Sequence, residues 1–241
     1  MVPVGEWSTT RDDSQPPDKW LSFGFAFVGG YGDAAGFVLA KTFTGHVTGS
    51  LVLAAIAIVA EDWRGAFARL SAVGCFLAGI PLSALMARLP AAWPSRRLLT
   101  AAMGIEVVLI VAAYLALASH AGPAVEILVV CLSLALGLQN GAFRRTGGIS
   151  VHTTFLTGMI TGLIASEAER YAPQGVPRPA AVPDPKRGLL YGIWGTFALG
   201  AAAGAAMILH FNELGILGAG LVLGATIVRN AIAAPRAHFR R

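Results

Sequence analysis

Eight long apolar segments, separated by short polar connectors, dominate the pattern of this chain. A bilayer core about 30 Å thick needs about 20 apolar residues of helix, and two of the segments contain no Asp, Glu, Lys or Arg at all. The pattern predicts an all-α, polytopic membrane helix bundle. The segments are 20–40, 42–60, 66–88, 98–119, 123–143, 152–168, 188–209 and 213–233.

Polar stretches divide the predicted bundle into parts. We expect a polar N-terminal tail (1–19) and a first membrane repeat (20–119), with the first apolar segment retained because no signal-peptide pattern precedes it. A second repeat (123–233) contains the proline-rich stretch 172–187, which we expect to be a surface loop. A basic C-terminal tail (234–241) follows.

Two of the apolar segments share a threonine–glycine motif. The pattern T-G-x-(V/I)-T-G begins at Thr44 and again at Thr157, 113 positions later. Each copy follows a glycine-rich polar stretch, 29–33 and 137–141, and precedes two further apolar segments. The glycines suggest that these preceding spans are interrupted and unwound. The chain is therefore predicted to contain two copies of one unit: an interrupted span, a short interrupted or re-entrant TG-helix, and two spans.

The distribution of positive charge tests how the copies are related, because cytoplasmic loops hold most Lys and Arg. Six crossings, with neither TG-helix crossing, place 15 of the 18 Lys and Arg on the inner side. Eight crossings reduce this to 12, and a seven-crossing alternative in which only 42–60 spans gives 14. We prefer six, which treats the matching helices alike. Three spans per unit make the two units an inverted repeat, an arrangement typical of transporters.

Composition agrees with a membrane protein. Apolar residues make up 55% of the chain and charged residues 13%, about half the charged share of a soluble domain. We attribute the net charge of +5 to membrane orientation and not to nucleic-acid binding. We expect a bacterial inner-membrane protein with a cytoplasmic C-terminus, in contact with the lipid bilayer and possible as a homo-oligomer.

Two paired motifs resemble one bacterial family. The stretch Gly29–Phe37 (GGYGDAAGF) is followed by Phe43–Val52 (FTGHVTGSLV), and the second half has Gly137–Asn140 and Thr153–Gly158 (TTFLTG). Over about 20–235 the chain resembles the YoaK-like membrane proteins, a family catalogued as a domain of unknown function. It departs from that pattern at Gly32, where Val is common, and at Ser50, where Asn is more common. The resemblance implies a membrane protein but no activity.

Asp33 is the first candidate functional residue. A carboxylate at mid-bilayer costs about 2.5–3.5 kcal/mol on insertion scales, so it is expected to be protonated or paired. We expect a proton or cation site there, with His46 as a possible proton-relay partner; the alternative is a carboxylate that caps a helix. Glu106 is expected to face the bundle interior or to be protonated.

The TG-helices supply the other candidates. A helix that begins inside the membrane directs free N–H groups at whatever lies before it, and the threonine hydroxyls lie at i, i+4. Packing through GxxxG pairs is the alternative reading. The amides of Gln139 and Asn140 are expected either to bind solute or to join helices. The substrate-binding residues predicted besides Asp33 are Thr44, Gly45, Thr48, Gln139, Asn140, Thr157, Gly158 and Thr161.

No motif of an enzyme, a metal site or a cofactor site is present, so neither a metal nor a cofactor is expected. The favoured hypothesis is a secondary transporter of a small polar or anionic solute, with its site between the two TG-helices. A passive channel on the same scaffold and a membrane scaffold or assembly protein remain as alternatives, and a membrane enzyme is the weakest.

Overall fold

The structure is a computed structural model that describes residues 19–86, 88, 95–120, 122–143, 156–168 and 184–232. These residues are arranged in eight α-helices and one short 3-10 helix, Asn212–Ile216, which lies between the last two. The α-helices are α1 (Lys19–Ala40), α2 (Val47–Val59), α3 (Trp63–Met86), α4 (Ser95–Ala118), α5 (Ala124–Phe143), α6 (Leu156–Ala168), α7 (Asp184–Phe211) and α8 (Leu217–Ile232).

The apolar segments predicted from the sequence are confirmed as helices, with ends that differ by a few residues. The predicted loop 172–187 is wrong at its end, because α7 already begins at Asp184. Pro185 causes no conflict there, since the first turn of a helix needs no donor from its backbone nitrogen. The polar tails and the rest of that loop lie outside the described residues.

The protein is a multi-pass membrane protein. Five helical stretches are long and apolar enough to cross a membrane: Lys19–Ala40, Trp63–Met86, Arg97–Ala118, Ala124–Phe143 and Arg187–Ile232. Two shorter apolar helices, α2 and α6, accompany them. Large apolar side chains such as Val59, Phe67 and Leu221 are exposed on the outside, where lipid covers them. Helix α5 is the most enclosed, and its buried residues run from Ala124 to Phe143.

Two pairs of helices pack closely through glycine. Helices α1 and α7 run parallel, because Gly192 lies against Phe23 and Gly204 lies against Tyr31. A β-carbon added at Gly30 or Gly200 would overlap a carbonyl oxygen of the other helix. Helices α3 and α5 also run parallel, because Gly137 lies against the Phe76 carbonyl oxygen and Gly141 lies against Ile80 and Ser83. Small residues allow backbones to approach this closely, which is how membrane helices associate without a hydrophobic driving force between them.

Other contacts show which helices run antiparallel. Helix α1 opposes α5, since Gln139 bonds to Phe25 while Leu136 lies against Gly32. Helix α4 opposes α8: Asn230 lies 3.4 Å from the Thr100 hydroxyl, and Gly220 faces Ile110.

The long apolar run Arg187–Ile232 contains two antiparallel helices. It folds back at Asn212, whose φ of 50° is tolerated by asparagine better than by most residues. The Tyr31 hydroxyl of α1 donates a hydrogen bond to the Gly215 carbonyl oxygen in the 3-10 helix and so fastens the turn to α1.

The glycine-rich stretches 29–33 and 137–141 are not interrupted, contrary to the prediction. Helices α1 and α5 are continuous through them. Glycine lowers helix propensity by only about 1 kcal/mol relative to alanine, and here it permits the close contacts with α7 and α3. The glycines therefore serve helix packing and not local unwinding.

Candidate functional site

The N-terminal end of α2 is held by Asp33. The Asp33 Oδ1 atom accepts hydrogen bonds from the backbone N–H groups of Thr44 and Gly45, at 2.9 and 2.6 Å. The Thr44 hydroxyl donates to the Gly32 carbonyl oxygen at 3.1 Å. Both donors belong to the connector 41–46, two and three residues before α2 begins at Val47, and hydrogen bonds to a charged acceptor are strong. Asp33 thus fixes the segment that leads into α2.

Residues 41–46 bring α2 to this position. Asp33 lies seven residues before the end of α1, about 10 Å along the helix axis. The connector folds back along these last two turns, because Thr42 and Thr44 both lie against Gly36 of α1. A β-carbon at Gly36 would come within 2.7 Å of the Thr44 methyl group. Helix α2 therefore begins beside the middle of α1's last two turns and not beyond its end.

Sequence reasoning missed two further contacts that fix the return segment. The Ser50 hydroxyl donates to the Phe43 carbonyl oxygen at 2.7 Å, which ties the first turn of α2 to the connector. The Phe37 and Phe43 rings stack with their centroids 4.8 Å apart. The GF…FTG pattern carried the signal for this pair, but nothing local shows that the segment turns back. Ser50 is thus a structural donor to the backbone in this structure.

Helix α5 lies directly against this site. The Leu136 side chain packs against both Gly32 and Gly45, with its Cδ1 atom 3.2 and 3.0 Å from the β-carbon positions of the two glycines. One turn further along, Asn140 donates to the Leu136 carbonyl oxygen at 2.8 Å. Gln139 donates to the Phe25 carbonyl oxygen at 3.1 Å. Both amide side chains are buried and carry polar atoms into the interior. The Gln139 bond joins α5 to α1, whereas this Asn140 bond lies within α5.

The structure brings together Asp33, Thr44 and Gly45 in direct contact. Gln139 and Asn140 lie about one turn beyond Leu136 on α5, and Gln139 bonds to Phe25, which is eight residues before Asp33 and about 12 Å from it along α1. In the part of the chain that the structure describes, the Gln139 Oε1 atom accepts no hydrogen bond. The α2-tip site is the cluster of Asp33, Thr44 and Gly45 at the entry to α2. Gln139 and Asn140 lie apart from it, nearer the start of α1, where their amide groups can hydrogen-bond a polar solute.

His46, directly before α2, is exposed but lies close enough to Asp33 for a favourable electrostatic interaction. Its ring lies against Phe43 with centroids 5.6 Å apart. Other predicted site residues lie elsewhere, and Thr48 is exposed in the first turn of α2. In α6, Thr157, Gly158 and Thr161 are exposed. The Thr161 hydroxyl donates to the Thr157 carbonyl oxygen at 2.7 Å.

Helix α6 is joined to α7 by an ion pair between Glu167 and Arg187 at 2.7 Å. The segment that leads into α6, residues 144–155, lies outside the described residues. Within residues that are described, no three His, Cys, Asp or Glu side chains come together in a group able to hold a metal ion.

Comparison with known proteins identifies the family. The profile described as "Protein of unknown function (DUF1275)" matches residues 21–228. The chain belongs to the DUF1275 family. The match begins in α1 and ends in α8, so the helices of the DUF1275 bundle, together with Asp33 and the α2-tip site, lie inside it.

One curated relative of this DUF1275 chain is the UPF0700 transmembrane protein YoaK of Bacillus subtilis (strain 168). The two are 31% identical over 136 residues, which are 55% of this chain and 59% of the relative. The aligned part therefore spans about three fifths of that relative's length. No solved structure matches the DUF1275 chain.

Proposed function

We propose that this protein is a secondary transporter that moves a small polar solute across the bacterial inner membrane by alternating access. The observation that carries the proposal is reciprocal packing between the two halves. The first helix of each half packs in parallel against the third helix of the other, α1 on α7 and α5 on α3. Inverted repeats of this kind are typical of secondary transporters, with the solute site where the repeats meet.

The positions of the close contacts support an inverted repeat. Gly30 faces Phe197, and Gly137 faces Phe76. The motif F-x-x-G occurs at 76–79 and at 197–200, with its glycine against the first helix of the other half in both cases. An offset of 107 positions, from Gly30 to Gly137, also makes Asn140 the counterpart of Asp33. The paired helices α1 and α5 are antiparallel, as are α4 and α8, which is what inversion requires.

The same contacts support six crossings. Helix directions put connectors 41–46, 60–62 and 119–123 and the 3-10 helix at one end of the bundle. Lys41, Arg64 and Arg69 lie toward this end. The opposite end has the starts of α1, α4 and α7 and the ends of α3 and α8. It carries more of the positively charged residues of the described chain: Lys19, Arg88, Arg96, Arg97, Lys186, Arg187 and Arg229. Positive residues favour the cytoplasmic side, so we assign this second end and the C-terminus to the cytoplasm.

The geometry favours a neutral or zwitterionic solute over an anion. An anion next to the start of α2 has to compete with the negative charge of Asp33, which accepts the Thr44 and Gly45 N–H groups just before the helix. The acceptor oxygen of Gln139 and the amide of Asn140 are suited to hydroxyl, amide or ammonium donors of a solute. In this mechanism the α2-tip site opens to one side and then to the other as the halves rock.

Uptake by proteoliposomes tests the proposal. The purified protein is reconstituted and exposed to a mixture of sugars, neutral amino acids and small carboxylates, and the internal solutes are measured by mass spectrometry. We expect saturable, protein-dependent uptake of a neutral or zwitterionic solute that is reduced by Asn140→Ala and Asp33→Asn.

Asp62→Asn is the matched control, because Asp62 accepts the Gly65 N–H at 2.9 Å at the exposed start of α3. Flux that never saturates would favour a channel. Failure of every solute class to enter above protein-free vesicles would contradict transport.

A further inference from the structure

Glu106 lies at the boundary between the proposed halves. It is near the middle of α4, in a buried stripe that also contains Met103 and Ile110. Helix α4 is the last helix of the first half and packs against α8, the last helix of the second half, and against α5. The Thr100–Asn230 and Ile110–Gly220 contacts set the register of the two helices. Glu106 is therefore level with Gly224 of α8.

The Glu106 carboxyl group is enclosed and unpaired. The residue is 1% exposed, and in the described part of the chain neither carboxyl oxygen has a hydrogen-bond partner. Its neighbours along the stripe are alanine, methionine and isoleucine. No other buried acidic side chain of the described bundle is in this state, since Asp33 is bonded to α2.

The titratable groups on the helices packed against α4 do not hydrogen-bond to Glu106. On α5, Glu126 pairs with Arg64 at 3.7 Å, and Cys131 is buried without a charge partner. On α8, Arg229 lies over the Trp20 ring at 5.5 Å. Glu213, in the 3-10 helix, is beyond the end of this stripe. None of these residues forms a hydrogen bond with the Glu106 carboxyl group.

An isolated carboxylate is costly in such surroundings. An ionised group in an apolar interior without a counter-charge or donors is strongly destabilised, and it avoids this by taking up a proton. Intramembrane carboxyl groups face the bundle interior and mark ion or proton pathways by default. The stable form of this side chain in the closed interface is the neutral acid.

We propose that Glu106 is a proton-binding site that exchanges its proton when α4 and α8 separate. In the closed interface a carboxyl oxygen holds the proton; when water reaches the oxygens the proton leaves to water and the carboxylate is hydrated. Small residues line the opposing helix here, since Gly220 and Gly224 carry no side chain, and Gly104 of α4 has open space beside it. The coupling of this proton to solute rests on the proposed transport function, whereas the proton site itself does not.

Reaction with dicyclohexylcarbodiimide tests the site on the full-length protein in membrane vesicles. This apolar reagent adds the O–H of a protonated carboxyl group across one of its C=N bonds, and the adduct rearranges to a stable N-acylurea that peptide mass spectrometry locates. We expect modification at Glu106, loss of that modification in Glu106→Gln, and less modification as pH rises. Glu126, which is paired with Arg64, is the internal control and is expected to react far less.

Infrared difference spectroscopy gives a second readout that needs no reagent. A protonated carboxyl group has a carbonyl stretch that a carboxylate lacks, and we expect Glu106→Gln to remove one such band while the thermal midpoint stays unchanged. An unmodified Glu106 together with no lost band would overturn the proton site. Modification of Glu106 in a protein that takes up no solute would support the proton site and contradict the proposed transport function. Uptake of solute by a protein whose Glu106 is not modified would support transport and contradict the proton site.

Discussion

Replacement of Asp33 by alanine removes the acceptor that holds the start of α2. Two backbone N–H groups, those of Thr44 and Gly45, then lose their partner at 2.9 and 2.6 Å in a buried site. A buried donor left unpaired costs about 1–3 kcal/mol, which gives about 2–6 kcal/mol for two. The unfolded state within a membrane finds alternative partners, so we expect a value at the lower end of this range, about 2–3 kcal/mol. Asparagine retains a neutral acceptor, so Asp33→Asn is expected to cost about 1 kcal/mol.

Hydrogen exchange measures this loss locally. A free-energy change of about 2 kcal/mol is roughly a 30-fold increase in the population of the open state. We expect peptides that cover residues 41–50 to exchange about that much faster in Asp33→Ala, whereas peptides from α5 keep their wild-type rates. The measurement uses the purified protein in detergent micelles, at a pH and temperature that keep the wild-type protein folded.

Asp62→Ala is the matched control for this experiment. Asp62 also accepts a backbone N–H at the start of a helix, that of Gly65, but it is exposed. Its loss is expected to cost about 0.5–2 kcal/mol and to change exchange only at the start of α3. Wild-type exchange of residues 41–50 in Asp33→Ala would refute the claim that this carboxylate holds α2.

Three further changes test the packing. Gly30→Ala is expected to lower the free energy of unfolding by about 2 kcal/mol or more, because its β-carbon would overlap a carbonyl oxygen of α7. Gly74→Ala is the control: a β-carbon there meets nothing within 4 Å, so we expect an unchanged or higher melting temperature. Arg187→Gln removes the charge that pairs with Glu167 from a side chain that is 8% exposed; we expect faster proteolysis of α6, and unaltered cleavage would contradict an anchoring role. Tyr31→Phe deletes the hydroxyl bond to the 3-10 helix, with an expected loss of about 1 kcal/mol in denaturant titration.

The apolar segments made the helices predictable, and the repeated T-G motif marked two shorter helices as different from the rest. Whether the glycines unwind a helix or allow a close contact with another helix was not predictable from the local sequence. Gly29 and Gly30 before an aspartate fit either an unwound stretch or a close helix contact, and only the position of α7 against α1 decides between them. A partner that is 167 residues away leaves no mark in the sequence around Gly30.

The same limit applies to the α2-tip site. Asp33 was predictable as a buried carboxylate that needs a partner, and capping of a helix was one of the two readings. Its partners are backbone N–H groups, which every residue but proline carries, so no residue type identifies them. Likewise, the contact of Leu136 with Gly32 and Gly45 depends on the placement of α5, which no local pattern encodes.

Single-cysteine labelling gives the most direct test that α2 re-enters and does not cross. Cysteine is introduced at Lys41, Glu61 or Arg88 in a chain whose Cys75 and Cys131 are replaced by alanine, and intact cells are treated with a membrane-impermeant maleimide. Lys41 ends α1, Glu61 follows α2, and Arg88 follows α3. We expect Lys41→Cys and Glu61→Cys to react from the outside and Arg88→Cys to react only after the cells are opened. Reaction of Lys41→Cys and Glu61→Cys from opposite sides of the membrane would contradict the claim that α2 re-enters.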